Sequence, residues 1–202
     1  MTTPIESVIR EVLKRNGRGV RIERAILSAW NMVEEKYPDR AWWRRKSTRA
    51  AIVWEHAVDN LIAELDDDLG VIVQRHYDTV SFIFDDAVLL RIKKADIELM
   101  SRNVQTELAS LFHDHEADLF GYTGLQRIEA AYVLNQFETE IIWVGVVARE
   151  SEVQLFNFRF DKLADAVQAP TLFPVPMKTS PADLATPKRI DDDKKKPEGQ
   201  GE

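Results

Sequence analysis

The residues best suited to chemistry are cations set among aromatics near the start of the chain. Arg40, Arg44, Arg45, Lys46 and Arg49 interleave with Trp42 and Trp43, while Lys14, Arg15, Arg18, Arg21 and Arg24 surround Gly17 and Gly19. Arginine and lysine neutralise phosphates, and an exposed aromatic ring can stack on a base. Arg44, Arg45 and Lys46 are therefore the centre of a candidate nucleic-acid or anion-binding segment. The opposing reading is structural: both tryptophans pack into the core and the arginines pair with an acidic body. A second cluster, His113-Asp114-His115-Glu116-Ala117-Asp118, has metal-ligand residue types. On a helix, residues two apart point about 200° from each other, so the two histidines cannot chelate one ion. No HExxH spacing occurs, no serine lies in a G-x-S-x-G setting, and Asn16-Gly17-Arg18-Gly19 is turn chemistry rather than a phosphate loop. These residues predict no catalytic group, no metal and no cofactor.

Composition sets the frame for these side chains. The chain has 202 residues, 45% hydrophobic and 30% charged, with no cysteine. The missing thiols exclude a disulfide scaffold, a Cys-ligated zinc or iron–sulfur site and a thiol nucleophile, and they suit a reducing, cytoplasmic setting. Charges run through the apolar part of the N-terminus, as they do not in a signal peptide, and no apolar run reaches membrane-spanning length. The net charge of −7 is unevenly spread: residues 1–54 carry 12 basic and 6 acidic side chains, whereas residues 55–168 carry 9 and 22. Such asymmetry fits either a charged partner for the basic head or packing of the head on the acidic body.

Hydrophobic spacing assigns the elements that must position these groups. Ile5, Val8, Ile9, Val12 and Leu13 form one helical stripe, ended by Asn16-Gly17; Ile22, Ala25, Ile26, Ala29, Trp30 and Val33 form a second, ended by Tyr37-Pro38. A third helix is expected to start with Ser47 or Thr48 as its cap and to carry Ala50, Trp54, Ala57, Val58, Leu61 and Leu65. Period-two patterns then predict strands over 71–77, 79–84 and 87–93, a helix over roughly 96–116, and strands over 127–134, 139–149 and 153–160. The fold class is α+β: N-terminal helices, then a mostly antiparallel sheet in βββ-α-βββ order with helices on one face. Three regions are expected: a basic helical region over 1–46, an α+β core over 47–168, and a disordered Pro- and charge-rich tail over 169–202.

Two resemblances bear on function. Glu55 on a helix, three strands, the acidic turn Asp85-Asp86 and then Arg91-Ile92-Lys93 resemble, in element order, the PD-(D/E)xK nucleases. Those enzymes hold magnesium with carboxylates and position water with a lysine. Arg91 stands where the second acid belongs, and a cation cannot ligate a cation. The stretches Ser47–His56, Leu90–Asp96 and Ser101–Thr106 together resemble an uncharacterised bacterial family with "TRAxIVxxH", "RFKKLD" and "RSxNxxT" segments. Its members are often found beside ImmA/IrrE-type zinc peptidases in mobile elements. The chain departs from that pattern at Ile92 and Ala95, where Phe and Leu are expected. The resemblance implies an accessory or regulatory role near a repressor–peptidase pair. It also suggests that Arg49, His56, Arg91, Lys93, Asn103 and Thr106 converge in a polar cleft where the third helix meets the third strand, suited to an anion. The opposing reading leaves His56 in the core and the others scattered.

The function expected from these observations is that of a non-enzymatic accessory protein binding a nucleic-acid or protein partner through the basic region, with no membrane contact. The alternatives are a divergent metal-dependent nuclease and a plain protein–protein adaptor.

Overall fold

The computed structural model describes residues 4–101, 112–113, 121 and 124–164. Helix α1 (Glu6–Lys14) buries Ile9, Val12 and Leu13 and stops where Asn16 and Gly17 take left-handed backbone, φ 52° and 65°. Glycine carries that conformation without a steric penalty, and asparagine carries it at little cost. The chain restarts at once as α2 (Arg18–Lys36), whose stripe from Ile22 to Val33 is buried, and ends at Tyr37 ahead of Pro38. Helix α3 (Lys46–Glu64) begins earlier than expected. Its N-cap is Arg45, with no side-chain cap, and Ser47 and Thr48 already lie in the first turn. A cap needs extended backbone at the capping residue, so neither hydroxyl serves.

Six strands follow: β1 (Val71–His76), β2 (Thr79–Phe84), β3 (Val88–Ala95), β4 (Gln126–Leu134), β5 (Ile141–Glu150) and β6 (Val153–Arg159), with a short α4 (Asp161–Ala164) behind them. They form one sheet in sequence order. Strands β3 and β4 run parallel, and the other neighbours run antiparallel. Hairpin links explain the antiparallel pairs. The parallel pair is permitted by the long 96–125 connection, since a parallel pairing needs a crossover of about a dozen residues or more. Part of that connection was expected to be helical. Residues 96–101 are instead a non-helical turn in which Asp96 Oδ1 accepts from the amides of Glu98 and Met100, at 3.1 and 3.0 Å. An aspartate bonded to amides two and four residues on competes with helix. Phe112 and His113 are helical, and the rest of that expected helix lies outside the described residues, as does the expected tail over 169–202.

Strand alternation gives the sheet two unlike faces. Phe82, Phe84, Leu90, Ile92, Ile128, Ala130, Tyr132, Val144 and Val146 face one way and share one hydrophobic core with α1, α2 and α3. The opposite face carries a smaller cluster of Ala95, Ala131, Val133 and Val147, and beside it a group of charged residues. No helix among the described residues is long and apolar enough to cross a membrane.

Candidate functional site

The two basic clusters have different fates. The cluster around Gly17 and Gly19 is largely engaged by the body: Arg15 pairs with Glu11 and Asp85 at 3.0 Å each, Arg21 pairs with Asp67, and Arg24 with Glu64 at 2.9 Å. Arg18 is only 2% exposed. Its Nε and Nη2 donate to Asp68 at 2.7 and 2.9 Å, its Nη1 and Nη2 donate to Asp85 at 2.7 and 2.9 Å, and Nη1 also donates to the Val12 carbonyl at 3.2 Å. All five guanidinium hydrogens thus have an acceptor. These bonds hold Asp68 and Asp85 well below the usual carboxylate range. The hub ties α2 to the turn after α3 and to the β2–β3 turn, so this part of the basic head is structural.

The segment between α2 and α3 is otherwise arranged. Arg40 pairs with Glu34, and Trp43 packs edge-on against Tyr37 with ring centroids 5.5 Å apart. Trp42, next in line, is 86% exposed. Arg44 and Arg45 are exposed and have no ion pair among the described residues, and Lys46, also exposed, reaches Glu138 at 3.4 Å. Trp43 thus packs on Tyr37, while Trp42 stands in solvent next to three cations in sequence.

A cleft of about 530 Å³ opens beside this ridge, where the N-terminus of α3 meets the end of β3 and the β4–β5 turn. Lys46, Lys94, Asp96 and Glu138 line it with apolar walls from Ala50, Met100 and Leu134. Glu138 draws three cations together: Lys94 Nζ at 2.9 Å, Lys46 Nζ at 3.4 Å and Arg49 Nη2 at 3.5 Å, with Arg49 Nη1 donating to the Glu138 carbonyl at 2.8 Å. Burial acts to raise the Glu138 carboxyl, but the hydrogen bond and charge of Lys94, with Lys46 behind it, outweigh this and hold it low. A cleft where the third helix meets the third strand was expected, but with other residues. Arg49 does not line it but pairs with Glu138, which does. His56 is half-buried in the helical layer, Arg91 and Lys93 point from the opposite face of the sheet, and Asn103 and Thr106 lie outside the described residues. The reason is the period of the strand: Lys94 shares the helical face with Leu90 and Ile92, so its odd-numbered neighbours cannot.

Arg91 and Lys93 sit instead in a buried polar network that sequence reasoning missed. Arg91 Nε donates to Ser81 Oγ at 2.9 Å, and its guanidinium lies 4.3 Å from the centroid of the Phe112 ring. Burial pushes the group down to about 10, against the attraction of Glu129, and pushes Lys93 down as well. Neither is the solvent-facing residue that a polar strand face suggested. Glu129, 1% exposed, accepts from Ser101 Oγ at 2.8 Å and from Arg149 Nη2 at 3.3 Å; Arg149 Nη2 also lies 2.7 Å from His113 Nε2. The signal was present in the strand patterns, because Arg91, Arg127, Glu129 and Arg149 all fall on the face opposite the apolar stripe. The network bears on the nuclease analogy. Its described donors are one carboxylate among several cations, Asp85 is bound to Arg18, and no three His, Asp or Glu residues among those described could hold a metal. Such a donor set does not suit a divalent cation, which takes carboxylate and carbonyl oxygens.

No protein-family model, curated protein or solved structure matches this chain.

Proposed function

We propose that this protein is a non-enzymatic accessory protein that binds single-stranded nucleic acid through Trp42, Arg44, Arg45 and Lys46. The supporting observation is Trp42 itself, 86% exposed next to two arginines with no ion pair among the described residues. Tyr77 and Phe137 are as exposed as Trp42; Trp42 is set apart by standing in sequence next to Arg44 and Arg45, which have no ion pair among the described residues. A ring beside cations offers base stacking together with phosphate neutralisation, which is how unpaired strands are held without sequence preference. A duplex keeps its base faces stacked on one another and would leave the ring unused. The family resemblance adds a regulatory context near a repressor–peptidase pair.

Fluorescence anisotropy with labelled oligonucleotides tests the reading. Single strands bind more tightly than duplex, and affinity falls as salt rises. Trp42→Ala weakens binding by about tenfold, within the range for one base stack, and Arg44→Glu with Arg45→Glu abolishes it. Absence of binding at low salt, or binding indifferent to Trp42→Ala, would overturn it in favour of a protein partner.

A further inference from the structure

The cleft beside the ridge has its own chemistry. Its volume of about 530 Å³ is that of a small-molecule pocket. One wall is apolar, built from Ala50, Met100 and Leu134, and Ile97 stands 80% exposed at the rim. The other side is charged: Lys46 and Lys94 line it with Glu138 and Asp96, and both lysines, with Arg49 behind, pair with the Glu138 carboxylate. The helix that opens into it is also unusual. α3 has no side-chain cap and no acidic residue in its first turn, yet Lys46 and Arg49 are there. Cations at a helix N-terminus oppose the helix dipole, and uncapped amides there attract an anion. Asp96 accepts from the amides of Glu98 and Met100 through Oδ1, which fixes its carboxylate at the turn after β3. Lys46 belongs to both the cleft and the exposed segment of Trp42, Arg44 and Arg45.

We propose that this cleft takes a 5′-phosphorylated nucleotide, its phosphate between Lys46 and the first turn of α3 and its base against the wall of Ala50, Met100 and Leu134. The nucleotide is the terminal one of a bound strand or the same group free in solution. A flat, weakly polar ring fits the apolar wall, and a methionine thioether packs favourably on such rings. The doubly charged phosphate shares the two lysines with Glu138 and adds the helix amides, which a ribose 5′-hydroxyl cannot engage to the same degree. The strand-end version rests on the nucleic-acid reading above; the free-nucleotide version does not.

The test compares one oligonucleotide with a 5′-phosphate and with a 5′-hydroxyl, alongside a nucleoside 5′-monophosphate, on wild type and two variants. Ala50→Phe fills the cleft. Ile97→Glu puts a carboxylate at its mouth, at a position exposed enough to leave folding intact. The wild type is expected to prefer the phosphorylated strand by about tenfold. Both variants bring that ratio to about one while salt-dependent binding persists. An equal affinity for both ends in the wild type, or a preference that survives both variants, overturns the cleft proposal and leaves the ridge reading standing. Binding of the monophosphate that Ile97→Glu removes, without binding of any oligonucleotide, supports the cleft and overturns the ridge. Binding of none of the three overturns both.

Discussion

Arg18 shows how much one side chain can carry. It looked like a member of a basic patch, and it is instead the buried centre of two carboxylates from separate turns. Removing it leaves Asp68 with the neutral Gly70 amide and Asp85 with only the more exposed Arg15, so Arg18→Ala should cost about 3–5 kcal/mol in urea unfolding. The same pairing predicts an acid response. A carboxylate held low in the folded state stabilises it above the unfolded value of about 3.9, and that contribution is lost as pH falls through the folded value. Asp68 and Asp85 are both of this kind. Unfolding midpoints should therefore be level from neutral pH to about pH 5 and drop below it. In Arg18→Met the acid limb should be flatter, because the largest cause of both depressions goes with the guanidinium. An unchanged acid limb in that variant would locate the sensitivity elsewhere.

At the scale of elements, the β2–β3 turn is the most instructive. Asp85 and Asp86 both have left-handed backbone, φ 49° and 51°, and Ala87 N donates to Phe84 O at 2.9 Å. That is the geometry of a tight hairpin turn, in which aspartate is accepted. Turn chemistry alone would make the two interchangeable, and the structure does not. Asp86→Gly should stay within about 0.5 kcal/mol of wild type, as relieved strain and added unfolded-state entropy offset each other. Asp85→Gly, in the same conformation, should lose about 2 kcal/mol or more, because it strips Arg18 of one partner. Gly70 completes the turn's surroundings: a Cβ there would come within 2.3 Å of Asp85 Oδ1 and 2.5 Å of Arg18 Nη2. Gly70→Ala should thus cost about 1–3 kcal/mol. In a double-mutant cycle it should be markedly non-additive with Arg18→Ala, since both disturb one contact set.

For the whole molecule, the question is how an acidic protein can hold an anionic partner. The net charge of −7 argues against it, but Arg44, Arg45 and Lys46 stand exposed and consecutive in one short segment. If Arg44, Arg45 and Lys46 each meet one phosphate, the logarithm of affinity for single strands should fall with the logarithm of salt at a slope of about −2, and each cation removed should lower the slope by about 0.7. A titration series in potassium chloride reads this directly. Much of the architecture was legible from residue order alone. The apolar repeats of 3.6 and 2 placed three helices and six strands, with the Asn16-Gly17 break and the Asp85-Asp86 turn, because local backbone preference and burial of one face act over a few neighbouring residues. The pairing of β3 with β4 as parallel neighbours was not legible, nor was the division of the arginines. Arg18 and Arg44 are the same residue type in the same basic head, yet Arg18 is enclosed by Asp68 and Asp85 while Arg44 meets no carboxylate among the described residues. Sequence alone determined which face of each element is apolar. Only the tertiary structure decided which charges are joined across the chain, because an ion pair depends on distances between segments that local pattern does not encode.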